Sequence, residues 1–225
     1  MDDFWRDHPR DTGDWTQLAE WFKQLTREVA DLLGLSVAGI RLNLRANQSG
    51  IAYTRYGNTV PEINLSPDTL YRDIVAHEIC HALLPVRALF LAEGMASYVG
   101  YRMMGNCHHF LFPQETISQL LHDYQEKLPP LSGFLHQKIG SDGFLSLEKF
   151  ATLQGRLAHG VAASFAEFCL DRYPGFAPGL QKHGDGNLDT LLQKITGKKT
   201  DLILAAWQRH IGLEGYVMTQ ESTGY

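Results

Sequence analysis

Hydrophobic residues near the start of the chain recur every three or four positions, as on one face of an amphipathic helix: Trp15, Leu18, Phe22, Leu25, Val29 and Leu32. Asp14 and Gln17 have the spacing of a capping box, and Gly34 follows the last of these positions. The pattern therefore predicts a packing helix that ends before Gly34.

Between Ile40 and Leu65 the helical repeat stops, and apolar and polar residues alternate instead. Ile40–Leu44, Ile51–Tyr56 and Val60–Leu65 predict three short strands, because side chains of a strand point to opposite faces in turn. Pro61 cannot donate a hydrogen bond to a neighbouring strand, so it begins the third strand or lies on an exposed edge. A small mixed or antiparallel sheet is expected.

Helical patterns dominate the rest of the chain. Ser66 as cap, Pro67 in the first turn and Asp68 near the positive helix end predict one helix from position 67 to Pro85. Further helices are predicted at 89–104, 114–127, 147–173 with an interruption near Gly155 or Gly160, 188–195 and 201–210. The predicted fold class is α+β, with a zincin-like unit at 1–105 and a helical subdomain at 106–225 that closes a shared cleft.

The composition of the chain limits which classes of function are expected. The 225 residues are 44% hydrophobic, enough for one sizeable core, and the net charge of −5 gives no general reason to bind nucleic acid. Since the acidic start has no apolar segment of signal-peptide type and no stretch is long enough to span a bilayer, we expect a cytoplasmic protein without a membrane partner. The three cysteines predict reduced thiols rather than a disulfide framework. Oligomeric state stays open.

The string His77-Glu78-Ile79-Cys80-His81 carries the clearest chemical signal. Two histidines four positions apart project from one helical face, so both can bind one cation while the carboxylate between them faces what the cation activates. Both fall on an apolar stripe that faces inward, with Leu70, Ile74 and Leu84. A catalytic zinc takes three protein ligands, and Glu93 is the nearest suitable carboxylate downstream. A structural metal site and a buried pair of histidines are the alternatives.

The stretches Val75-Ala76-His77-Glu78-Ile79-Cys80-His81-Ala82-Leu83 and Phe90-Leu91-Ala92-Glu93-Gly94-Met95-Ala96-Ser97-Tyr98 resemble the two zinc helices of the gluzincin metallopeptidases, the thermolysin and aminopeptidase-N group. A weaker similarity covers residues 159–175. The resemblance implies one Zn²⁺ per chain held by His77, His81 and Glu93, with Glu78 as the general base that activates water toward a peptide bond. It also implies that His159 stabilises the oxyanion, a role for which Tyr98 and Tyr101 are alternatives.

The chain departs from the family pattern in three places. The spacing from His81 to Glu93 is short, which suggests an open cleft. Ser97 stands where thermolysin-like members have an aspartate that orients a zinc histidine, so a weaker hydrogen bond from its hydroxyl is expected. No Gly-x-Met-x-Asn string precedes the motif, which disfavours exopeptidase action. Substrate is expected along an edge strand, either 51–56 or the strand that follows Pro61.

Two functions of different class follow. The first is a zinc-dependent endopeptidase acting on a peptide or protein substrate, which the intact Glu78 favours. The second is an inactive scaffold or binding protein that keeps the fold and a structural zinc. Cys107-His108-His109 is a possible second metal cluster, although loop clusters of this kind usually face solvent. The loops at 140–148 and 185–189 lack the ligand register of a calcium site.

Overall fold

The structure is a computed structural model that describes residues 15–37, 39–45, 48–50, 52–56, 60–137 and 143–213. The elements of this part of the chain are, in order, α1 (Trp15–Leu33), β1 (Arg41–Leu44), β2 (Ala52–Arg55), β3 (Glu62–Leu65), α2 (Arg72–Leu83), α3 (Leu89–Met104), α4 (Ile117–Asp123), α5 (Leu147–Phe150), α6 (Leu153–Arg172), α7 (Phe176–His183), α8 (Leu188–Thr196) and α9 (Thr200–His210). The fold is α+β, as predicted.

Helix α1 confirms the first prediction. The side chains of Leu18, Phe22, Leu25 and Val29 are buried along one face, as their spacing requires. The helix ends before Gly34, which adopts a φ of 64°, a left-handed conformation that glycine enters without strain. Asp14 of the possible capping box lies outside the described residues.

The three strands form a mixed sheet in the order β1-β3-β2. Strand β3 is parallel to β1 and antiparallel to β2, so it is the central strand. The idea that Pro61 marks an exposed edge is therefore wrong: Pro61 precedes β3, and its carbonyl accepts a hydrogen bond from Arg41 N at 2.9 Å. Among the described strands, β2 is the edge that packs against α2.

The motif helix begins later than the sequence predicts. Ser66 starts only a short 3-10 turn, Pro67–Thr69, and Tyr71 is extended before α2 begins at Arg72. Asp68 accepts hydrogen bonds from Ser49, Ser66 and Gly50 N instead of serving the motif helix. Those bonds lower the pKa of Asp68 to about 2. The start signals in the sequence thus belong to a turn that fastens the β1–β2 connection.

Helix α3 packs against both α2 and α6. It spans Leu89–Met104, the predicted range, and most of its surface is buried. Gly94 allows the contact with α6, because a Cβ there would lie 2.5 Å from the Ala162 carbonyl oxygen. No described helix is both long and apolar enough to cross a bilayer.

Replacing Gly94 with alanine is expected to lower the free energy of unfolding by about 1–3 kcal/mol, the usual cost of overpacking a core. The added methyl group meets main-chain atoms, which cannot rotate away as a side chain can. Denaturant unfolding measures the change, with Gly39→Ala as the control, since a Cβ at Gly39 has no neighbour within 4 Å. Equal stability of the two variants would contradict the close α3–α6 contact.

The second half of the chain is helical, with boundaries that differ from those predicted. The helix expected at 114–127 is α4, Ile117–Asp123, followed by a 3-10 turn. The helix expected at 147–173 breaks before Thr152, which caps α6, and both Gly155 and Gly160 lie inside α6. Helix α7 was not predicted. Buried residues from Leu18 to Leu213 form one continuous hydrophobic core.

Candidate metal centre

Three donor side chains meet between α2 and α3. His77 and His81 lie one turn apart on α2, with their Nε2 atoms 3.1 Å from each other. Glu93 comes from the first half of α3 and places its Oε2 3.5 Å from His77 Nε2 and its Oε1 3.4 Å from His81 Nε2. The three side chains are only 14–17% exposed. The structure therefore brings together the three metal ligands that the sequence predicts.

The separations suit a small tetrahedral cation. With metal–ligand bonds of about 2.0–2.1 Å, the donors of a tetrahedral zinc lie roughly 3.3 Å apart. Nε2 of His77 and Nε2 of His81 lie 3.1 Å apart, and each lies 3.4–3.5 Å from a different carboxylate oxygen of Glu93, so the three side chains converge to about this spacing. Two imidazoles and one carboxylate are also a common catalytic zinc donor set. Among the described residues, this is the one group of at least three His, Cys, Asp or Glu donors close enough to hold an ion.

Burial and charge set the protonation of the donors. Burial opposes a charge on His81, but the Glu93 and Glu78 carboxylates outweigh it and raise the pKa of His81 to about 9. Burial, with His81 beside it, lowers the pKa of His77 to about 4. Burial works against ionisation of Glu93, yet His81 and hydrogen bonds from the histidines hold the Glu93 pKa well below its usual range. Glu93 is thus ionised and His77 neutral, the forms that bind a cation, and a cation would displace a proton from His81.

Glu78 lies beside the three donors but is not one of them. Its side chain is 7% exposed, and Thr54 Oγ1 lies 2.7 Å from Glu78 Oε2 and 2.9 Å from the Glu78 carbonyl oxygen. Burial raises the pKa of Glu78, partly opposed by His81 and the Thr54 hydrogen bond. A carboxyl group with a raised pKa beside a cation site is suited to accept and return a proton.

Strand β2 supplies contacts at the site that no sequence motif indicated. Besides Thr54, Tyr56 donates a hydrogen bond from its hydroxyl to the His81 carbonyl oxygen at 2.8 Å. Ala52, Thr54 and Tyr56 all line the same cavity as the metal donors. Alternation along residues 52–56 places these three on one face of the strand, and that was the signal available in the sequence.

His159 approaches Glu93 from α6. Its side chain is buried, its Nδ1 is 2.9 Å from the Gly155 carbonyl oxygen, and its Nε2 is 3.5 Å from Glu93 Oε2. Because a carbonyl only accepts, Nδ1 carries a proton, and Nε2 faces the carboxylate. Tyr98 and Tyr101 lie outside the cavity lining, and the Tyr98 hydroxyl accepts from Arg102 at 2.7 Å. Of the three proposed oxyanion groups, the structure places only His159 at the site.

A cavity of about 410 Å³ runs past the donors. Apolar side chains supply much of its remaining wall: Ala52, Ile74, Val86, Leu89, Ala92, Leu145 and Phe150. None of its described lining residues is lysine or arginine. The cavity therefore offers apolar surface beside a concentrated group of metal donors.

His109 is a further site residue whose place the sequence did not predict. The Cys107-His108-His109 stretch was expected to face solvent, but Cys107 and His109 are buried, and His109 lines the cavity. His109 Nδ1 lies 2.9 Å from Asp73 Oδ2. Since Asp73 and His109 are 36 positions apart, no local pattern could have paired them.

Ser97 does not make the contact that the resemblance implies. Its side chain is fully buried, and its Oγ has no hydrogen-bond partner. Nδ1 of His77 is also buried without a partner. The expected hydrogen bond from Ser97 to a histidine of the site is therefore not formed.

No protein-family model, curated protein or solved structure matches this chain.

Proposed function

We propose that the protein is a zinc-dependent metallopeptidase with a zincin-like fold of the gluzincin type, acting as an endopeptidase on peptides or proteins. The observation that carries the proposal is the convergence of His77, His81 and Glu93 to distances that one small cation can span, with Glu78 beside them in the same cavity. A purely structural zinc site needs no such base, and structural sites are usually closed by a fourth protein ligand.

Each group has a defined part in hydrolysis. Bound zinc supplies Lewis acidity, which lowers the pKa of water and polarises a carbonyl group. Glu78 accepts the proton of the attacking water on a carboxylate oxygen and passes it to the departing amine. Thr54 holds that carboxylate by a 2.7 Å hydrogen bond. His159 Nε2 can donate to an anionic substrate oxygen when both ring nitrogens carry protons.

The substrate would bind along strand β2. As an edge strand it can add an extended peptide through main-chain hydrogen bonds, and its Thr54 reaches the catalytic carboxylate directly. The alternative strand, β3, is central and has both neighbours. An extended chain on β2 would therefore pass in front of Glu78 and the metal donors.

The cavity wall favours an internal peptide bond flanked by an apolar side chain. Ile74, Val86, Leu89 and Phe150 would surround such a side chain. Binding a free carboxy terminus requires a cation, and the described lining contains no lysine or arginine. This supports endopeptidase over carboxypeptidase action.

The test is digestion of an unfolded protein mixture by protein loaded with one equivalent of zinc. We expect fragments whose new ends adjoin apolar residues, loss of cleavage after chelation, and recovery when zinc is returned. Cleavage that survives complete removal of metal would contradict the proposal. Full zinc occupancy without cleavage would favour the inactive scaffold.

A further inference from the structure

Asp73 and His109 form a buried pair directly behind the metal donors. Asp73 lies one turn before His77 on α2, and the two side chains of the pair are 6–8% exposed. The His109 ring lies against Gly100 of α3, where a Cβ would be 2.3 Å from its Cε1 atom. A side chain at position 100 would exclude the ring, so the helix surface is shaped to admit it.

The hydrogen-bond roles in this pair follow from chemistry. A carboxylate only accepts, so Nδ1 of His109 donates to Asp73 Oδ2 across 2.9 Å. In the neutral ring this leaves Nε2 of His109 as an acceptor, and that atom is buried with no hydrogen-bond partner. A buried acceptor without a partner is costly, and it calls for a donor.

His77 presents the matching donor. Its Nε2 faces Glu93 and His81, so a cation bound there would require the proton to be on Nδ1, which is buried and unpartnered. The centres of the His77 and His109 rings are 5.7 Å apart. Two imidazole rings joined by one N–H···N hydrogen bond of about 3.0 Å have centres up to about 5.3 Å apart, so an approach of a few tenths of an ångström would bring these rings to hydrogen-bonding distance.

We propose that Asp73 and His109 are positioning residues for the metal ligand His77, a proposal that rests on the zinc site proposed above. In the zinc-bound protein, His77 Nδ1 donates to His109 Nε2, and His109 Nδ1 donates to Asp73. These two hydrogen bonds, here called the relay, fix the ring orientation and tautomer of His77. They also extend the negative charge of Asp73 toward the metal. The relay takes the place of the Ser97 contact, which is not made.

Other roles for His109 fit the structure less well. His109 lines the cavity, but its Nε2 is buried, so that nitrogen does not reach substrate. A second metal site at Cys107-His108-His109 is disfavoured, because His108 is exposed and no such cluster of donors occurs in the described ranges. Ser97 Oγ has no hydrogen-bond partner, whereas the His109 ring lies beside the His77 ring.

The pair His109→Asn and His109→Gln separates the two halves of the relay. Asparagine reaches the position of Nδ1 and keeps a polar group near Asp73, whereas glutamine carries its carbonyl oxygen to the position of Nε2 near His77. We expect His109→Asn to release zinc to a chelator about 10–100-fold faster than wild type, the usual effect of losing such support. His109→Gln should release zinc nearly as slowly as wild type, and Ser97→Ala should release it at the wild-type rate.

Thermal unfolding of the metal-free variants measures structural damage separately. A zinc-loaded, ¹⁵N-histidine-labelled wild type should also show a scalar coupling between His77 Nδ1 and His109 Nε2 across the hydrogen bond. Zinc release at the wild-type rate from His109→Asn, or equally fast release from both His109 variants, would overturn the relay. Wild-type protein that binds no zinc would instead overturn the proposed function, and the relay with it.

Discussion

Glu78→Gln is expected to lose peptide-bond hydrolysis by about 10²–10⁴-fold while keeping its zinc, the range over which a positioned general base contributes. Glutamine has nearly the same shape and can keep the hydrogen bond with Thr54, but its amide cannot accept the proton of water. The metal donors His77, His81 and Glu93 are untouched. The loss should therefore fall on the chemical step rather than on folding or metal content.

The measurement is single-turnover cleavage of a peptide identified in the digestion of unfolded proteins, with zinc determined on the same samples. Glu115→Gln is the matched control, because Glu115 is an exposed carboxylate outside the cavity lining. Cleavage by Glu78→Gln at the wild-type rate would remove Glu78 from the mechanism. The inactive variant should also retain bound substrate, which would identify the physiological target by capture.

His81→Ala and Glu93→Ala are each expected to reduce zinc from about one per chain to a small fraction of that value. Each variant leaves two donors, whereas a catalytic zinc site has three protein ligands and one open position. Because metal bound only to the folded state adds to stability, both variants should also lose the rise in unfolding temperature that zinc gives the wild type.

Inductively coupled plasma mass spectrometry after dialysis gives the zinc content of each variant. His122→Ala serves as the control, since His122 is an exposed histidine on α4. If Glu93→Ala bound zinc with wild-type affinity, the third ligand would be misassigned, and the gluzincin resemblance would fail at the ligand that defines it.

Local signals in the sequence predicted the helices that carry the donors. The bounds of α3 were predicted because an apolar run of helical length is framed by Pro85 and Gly105. The His77 and His81 pairing depends only on helical period, and Glu93 required only that a second helix pack on the first. These features lie within one short stretch, so tertiary context added little to them.

Features that depend on distant contacts were not predicted. The pattern Ser66-Pro67-Asp68 is typical of a helix start. Two of the three hydrogen-bond partners of Asp68 are nevertheless Ser49 and Gly50, which lie earlier in the chain. The central place of β3 depends on the parallel pairing with β1, which no periodicity reveals. Thr54 and His109 reach the site only after the sheet and the loop after α3 have packed on α2.

The three donors lie between positions 77 and 93, on two helices joined by the short connection from Leu84 to Ala88. Closing this connection requires little loss of chain entropy, so the α2–α3 pair is a local unit that can form early in folding. If the proposed zinc site is correct, a metal ion could then bind before β2 and α6 have packed on this pair. Metal binding and catalytic activity would thus arise at separate stages of folding. Activity would follow only after Thr54 and His159 have packed beside the donors.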